Sequence, residues 1–211
     1  MGKGKRLKAE RSTVARPAAG QTRAPVGMLN EAVTAVGDIF GTEANCADAA
    51  ALLVATAREL GYELRPRPVA VFALKPSTGE FAFMGPKATA LIPEHRKGAV
   101  EDMRPDGKDN GHLVLTSEDP LLLLDPNLRQ LGAYGIEAPS VALRIKSTDP
   151  DSGDWQMKLA DLDLVYILDE SHTVLLERFN EVGEAAATDG KALAGLIRRG
   201  MSAAQIRLRS R

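Results

Sequence analysis

Residues 111–126 read GHLVLTSEDPLLLLDP, and the two apolar runs flanking Ser117, Glu118, Asp119 and Pro120 give this stretch the pattern of a β-hairpin. His112 stands at one open end and Asp125 at the other. In an antiparallel pair the loop length fixes which residues face each other. A four-residue loop over 117–120, or a two-residue Glu118–Asp119 loop, sets Thr116 opposite Leu121 and therefore His112 opposite Asp125. Directly opposed side chains leave the same face with Cβ atoms about 4.5–5.5 Å apart, which lets an imidazole N–H reach a carboxylate. A three-residue loop would shift the register by one and part the two across the sheet. An even loop therefore predicts a His112–Asp125 pair.

Working outward, the chain before the hairpin is first helical and then extended. Leu29, Val33, Val36 and Phe40 recur at three- and four-residue steps, so a helix is expected over about Met28–Phe40, stopped by Gly41. NCADAAALLVATARELG (45–61) gives a second helix, with Asn45 as N-cap, Asp48 in the first turn and Gly61 as the stop. Its alanine- and leucine-rich interior suits burial on most sides. VAVFAL (69–74) and EFAFM (80–84) read as strands around KPSTG, and the polar stretch 85–110 as a loop or partial lid. After the hairpin, SVALRI (140–145) and WQMKLA (155–160) are expected to pair across STDPDSGD. LVYIL (164–168) and TVLLERF (173–179) are expected to pair across DESH, before a helical segment over 181–209 broken at Gly200. These last elements could complete the sheet or form an appendage. Helices followed by a run of hairpins argue for an α+β fold, N-terminal helices packed on a mostly antiparallel sheet with a C-terminal helical extension. The domain reading is a disordered basic arm over 1–26, one α+β domain over 27–180 and a helical segment with a basic tail over 181–211.

The chain of 211 residues is 44% hydrophobic but only 4% aromatic, so its core must rest on Leu, Val, Ile and Ala. The net charge of −1 hides an asymmetry: residues 1–24 hold seven basic side chains and one acid, and residues 198–211 hold five arginines and no acid. The body between them is therefore strongly acidic. Basic ends on such a body are solvated tails, or they meet nucleic acid, a membrane surface or the body itself. An acidic body with few aromatics to stack on bases weighs against nucleic acid. No signal-peptide core and no membrane-length apolar run is present, which points to the cytoplasm, with an organelle transit peptide as a lesser alternative.

Cys46 is the single cysteine, which excludes an internal disulfide and a cysteine zinc cluster. STDPDSGD lacks the alternating ligands of a calcium loop and reads as a turn. No phosphate loop or metal-ligand set appears, so no cofactor is expected. His95 and His172 fall in polar turns and read as solvated. Cys46 follows the N-cap of the second helix, where unpaired N–H groups and the helix dipole favour an anion. A nucleophilic cysteine, a histidine base and an orienting aspartate make a complete thiol acyl-transfer set. Singly, each residue has an ordinary reading: Cys46 a small buried hydrophobe, His112 a satisfied strand-end residue, Asp125 a turn starter before Pro126.

A cysteine at a helix start, a helix running into ELGYELRP, a strand, a gap, then GH on one strand and LDP closing the next resembles the transglutaminase-like branch of the papain-like cysteine enzymes. The motifs are NCADAAALLVATARELGY, GHLVLTS and LLLLDPNLRQL, covering roughly Thr42 to Leu131. The resemblance implies a papain-like core with Cys46 as nucleophile, His112 as general base and acid, and Asp125 as orienting carboxylate. It also implies cleavage, hydrolysis or exchange of an amide or ester in a peptide, protein or small molecule. Many relatives carry a small residue before the cysteine and an aromatic after it; here the neighbours are Asn45 and Ala47. An oxyanion hole would use the Cys46 backbone N–H and a second donor, for which Asn45 or Asn30 offers an amide. The rival expectation is an inactive module on the same fold, whose basic tails engage an acidic partner or nucleic acid.

Overall fold

The computed structural model describes residues 22–94, 111–171 and 173–209. His95, His172, most of the 85–110 connection and the ends 1–21 and 210–211 lie outside the described residues. The fold is α+β, with helices and an antiparallel sheet.

Helix α1 (Val26–Phe40) buries Leu29, Ala32, Val33 and Val36 and ends where Gly41 takes φ +59°, its N–H donating to the Gly37 carbonyl. Gly37 itself must be glycine, because a Cβ there would run into Ser140 Oγ and the Pro126 carbonyl. The chain before α1 is tied down as well: Tyr62 donates to the Ala24 carbonyl at 2.6 Å, and the Arg23 guanidinium lies 5.2 Å from the Tyr62 ring centroid. Residues 22–25 thus belong to the body rather than to a loose arm. Helix α2 (Cys46–Glu59) is buried over most of its length, as its composition requires.

The strands are β1 (Arg65–Lys75), β2 (Glu80–Met84), β3 (His112–Glu118), β4 (Leu121–Asp125), β5 (Val141–Arg144), β6 (Asp154–Leu159) and β7 (Leu162–Leu168). Their order is β5-β4-β3-β1-β7-β6, with β2 also on β1, and every pairing is antiparallel. β1 is the axis: residues 65–69 pair with β3, 71–75 with β2 and 69–74 with β7. Pro66 and Pro68 are tolerated in so central a strand because the pairing of β1 with β7 begins only at Val69, opposite Leu168, so no ladder bond on that side is forfeited.

Three expectations are corrected. First, the hairpin turns at Asp119–Pro120, a cis peptide, and Ser117 and Glu118 stay in the ladder opposite Leu122 and Leu121. The register is therefore two residues away from the expected one, and His112 and Asp125 are diagonal rather than directly opposed. A shift of two keeps the face, so the pair survives it. Second, β5 and β6 do not pair with each other: β5 joins β4, and β6 joins β7. The nine residues between them, 145–153, form a bridge across the sheet, clasped by Arg67. Third, residues 173–179 are not a strand but the cap and start of helix α3 (Val174–Arg198). Leu175, Leu176 and Phe179 pack on the helical core together with Leu193, Ala194 and Ile197, a helical rather than alternating spacing. Gly200, at φ +79°, separates α3 from α4 (Ala203–Arg209).

Helices α1, α2 and α3 share one core with Leu113, Leu115, Leu122 and Leu124 of the hairpin. The alternate residues Val114 and Leu123 point to a second core with Val69, Val71, Met84, Leu128, Leu131 and Tyr166. His112 and Asp125 share the parity of this second face. Among the described residues, no helix is long and apolar enough to cross a membrane.

Candidate active site

His112 opens β3 and Asp125 closes β4, both fully buried. The imidazole Nε2 donates to Asp125 Oδ2 at 2.8 Å. Diagonal neighbours on one face are about 7–8 Å apart at the backbone, a gap that an imidazole and a carboxylate together span. The other hairpin face is leucine packed on helices, so this one polar pair sits where the sheet ends and the cores meet.

Asp125 is held by more than His112. Tyr166 of β7 donates its hydroxyl to Oδ2 at 3.1 Å, and the Asn127 backbone N–H donates to Oδ1 at 3.0 Å. Burial, then the charge and hydrogen bond of Asp125, raise the Tyr166 phenol well above its usual value of 10.0, so it stays a neutral donor. Asn127 ties this end of β4 to the loop before α2, its Nδ2 donating to the Glu43 carbonyl at 2.9 Å.

That loop delivers Cys46. The thiol begins α2, is only 5% exposed, and lies near enough to His112 to bear on its protonation. Burial alone pulls the imidazole toward its neutral form. The charge and hydrogen bond of Asp125, and then those of Cys46, outweigh it and push the ring from 6.5 up to about 10. Since Nε2 faces Asp125, Nδ1 is the ring nitrogen left for a further partner. A second side chain also reaches Nδ1: Gln130 Nε2 lies 2.5 Å from it and 2.9 Å from Met84 Sδ. Gln130 belongs to a short 3-10 helix, Leu128–Tyr134, that follows the hairpin and is braced on α1 by an Arg129–Asp38 ion pair.

The structure thus brings Cys46, His112 and Asp125 together. Asn45 precedes the thiol, but its side chain does not cap α2; its Nδ2 donates to Glu43 Oε2 at 2.9 Å instead. Asn30 is exposed on α1. The sequence reading missed Tyr166, Asn127 and Gln130. Tyr166 had a signal, a lone phenol on an apolar strand that must find a partner when buried. Gln130 had none, because its proximity to His112 arises only when the 3-10 helix folds back under β3. Among the described residues, no group of three or more His, Cys, Asp or Glu side chains could hold a metal ion. Chemically, the arrangement is a thiol beside a histidine whose far nitrogen is fixed on a fully satisfied carboxylate. Comparison with protein-family models, curated proteins and solved structures finds no significant match to this chain.

Proposed function

We propose that this chain is a thiol-dependent acyl-transfer enzyme. More narrowly, it is a hydrolase of amide or ester bonds with a transglutaminase-like, papain-like core, acting as a peptidase, amidase or deamidase. The observation that supports the reading most is the buried His112–Asp125 hydrogen bond with Cys46 close by, and with Asp125 completed by Tyr166 and Asn127. A structural histidine does not need a thiol on one side and a saturated carboxylate on the other.

In the proposed cycle His112 Nδ1 takes the Cys46 proton as sulfur bonds to the substrate carbonyl carbon. The tetrahedral oxyanion collapses, the carbon–nitrogen or carbon–oxygen bond breaks, and His112 returns the proton to the leaving group. Water, deprotonated by the same nitrogen, then attacks the acyl-cysteine and regenerates the thiol. An amine in place of water would give acyl transfer. Asp125 holds the ring with Nε2–H on its carboxylate, the tautomer that puts the basic lone pair on Nδ1.

The second reading, an inactive binding module on the same fold, is favoured by one observation: Cys46, His112 and Asp125 are all buried. Alkylation of Cys46 by iodoacetamide across pH 5–9, in wild type and His112→Ala, separates the two. An enzyme is expected to react well below pH 8 and to slow about tenfold or more without His112, because a paired thiol yields far more thiolate than a free one. It should also form an acyl-cysteine adduct, detectable by mass, with an activated ester such as p-nitrophenyl acetate. A thiol indifferent to His112 returns the chain to the binding-module reading.

A further inference from the structure

Asp125 Oδ2 takes two donors at once, the His112 N–H at 2.8 Å and the Tyr166 hydroxyl at 3.1 Å. An ionised carboxylate accepts and does not donate, so the acceptor itself settles the direction of both bonds. The other oxygen, Oδ1, is already served by the Asn127 backbone N–H at 3.0 Å. Tyr166 therefore adds nothing to the far side of the carboxylate and bears only on the oxygen that holds the imidazole. The phenol has little freedom to leave, because Tyr166 is fully buried in the middle of β7, opposite Val71 of β1 and Trp155 of β6.

Two donors on one oxygen oppose each other. Each draws negative charge toward itself and leaves less for its neighbour, and a bond to an ionised group depends strongly on that charge. The groups facing the imidazole are Asp125 of β4, Cys46 of α2 and the uncharged Gln130 of the 3-10 helix, with Tyr166 of β7 behind the carboxylate. Asp125 and Cys46 outweigh burial and push the ring up to about 10. An imidazolium that basic is a poor proton donor near neutral pH, since general-acid transfer weakens as the donor's affinity rises above the ambient pH. Tyr166 stays neutral, so it counters that hold purely as a hydrogen-bond donor.

We propose that Tyr166 is a positioning residue that acts on His112 through Asp125: by sharing Oδ2 it slackens the carboxylate's grip on the imidazolium, so that the ring can give its proton to a departing group. This inference rests on the thiol acyl-transfer reading above. The step it serves is the collapse of the tetrahedral oxyanion, where the carbon–oxygen or carbon–nitrogen bond breaks and the imidazolium proton passes to the departing atom. A leaving group that is a stable anion departs without that proton; a basic one needs it.

The pH at which His112 loses its proton, followed in ¹⁵N-histidine spectra, is the direct test. In the Cys46→Ala background no thiolate holds the proton on the ring. There Tyr166→Phe is expected to raise the proton affinity of His112 about three- to tenfold, a midpoint higher by about half to one pH unit. Replacing the tyrosines by 3-fluorotyrosine, a stronger donor, should lower the midpoint. With Cys46 intact, acyl-cysteine formation followed by mass gives the catalytic counterpart. Tyr166→Phe should slow acylation by phenyl acetate, relative to p-nitrophenyl acetate, by about threefold, because the phenoxide needs the proton far more. A misfolded fraction lowers both rates alike and leaves their ratio unchanged. An unchanged or lowered midpoint in Tyr166→Phe, or an unchanged ratio, overturns the proposal. If Tyr166→Phe does not fold, the 3-fluorotyrosine chain decides, and a midpoint that stays or rises overturns it. If neither ester acylates wild type while the midpoint moves as expected, it is the acyl-transfer reading that fails, and the coupling of Tyr166 to His112 stands.

Discussion

Asp125 carries the densest set of bonds of any side chain at the site. It accepts from His112, Tyr166 and the Asn127 N–H, and it is fully buried. A buried carboxylate short of donors is costly, so each of these bonds is worth more than its surface equivalent. Tyr166→Phe removes one donor without changing shape and is expected to cost about 1.5–3 kcal/mol in urea unfolding at pH 7, the scale of a lost hydrogen bond to a charged group. The same substitution has a pH signature. Because the folded protein raises the Tyr166 pKa above 10.0, its contribution is complete below pH 10 and is lost as pH rises beyond it. Wild type should therefore lose stability more steeply than Tyr166→Phe between pH 10 and 11. Equal slopes would mean that the phenol is not held as described. At this scale Cys46, His112 and Asp125 were legible in the sequence, because the cysteine is unique and the hairpin sets the other two at its open ends. Gln130 and Asn127 look like any polar residues after a turn.

The elements show a different division. Periodicity found α1 and α2, β1 and β2, and the hairpin β3–β4. It failed at residues 173–179, where Thr, Val and two leucines in a row fit either period. Packing decided that case: α3 lies along α2, and Leu175, Leu176 and Phe179 bury against the helical core. The approach is close at Gly190, where a Cβ would come within 2.5 Å of the Ala55 Cβ and 2.8 Å of the α2 backbone. Gly190→Val is therefore expected to cost about 1–3 kcal/mol by overpacking, lowering the urea midpoint with little change in m-value. An unchanged midpoint would mean that the two helices are less closely apposed. An ion pair of Arg178 with Asp48, at 2.8 Å, ties the start of the same helix to the first turn of α2, two residues past Cys46.

Over the whole molecule, the sheet is closed around β1 by a residue that a reading for surface charge would misjudge. Arg67 is one of the largest fully buried side chains. Its Nη1 donates to the Thr148 carbonyl and to Asp149, each at 2.7 Å, and its Nη2 to Glu170 at 3.0 Å, while its guanidinium lies 6.0 Å from the Trp155 ring centroid. It thus clasps the bridge between β5 and β6 to the end of β7. The two carboxylates are largely exposed and remain solvated if Arg67 is removed, so Arg67→Met should cost about 1–3 kcal/mol, the scale of lost hydrogen bonds to a charged group. Limited proteolysis should then cut first within residues 146–153. Cleavage elsewhere would assign the clasp a lesser part. By itself the sequence determined the α+β class, the helical and extended periods of most elements and the even parity of the hairpin, because these follow from local apolar spacing. Tertiary structure alone decided the turn at Asp119–Pro120, the strand order, the helical state of residues 173–179 and the meeting of Gln130 with His112 and of Tyr166 with Asp125. Those depend on which distant surfaces bury one another, and no local pattern encodes that choice.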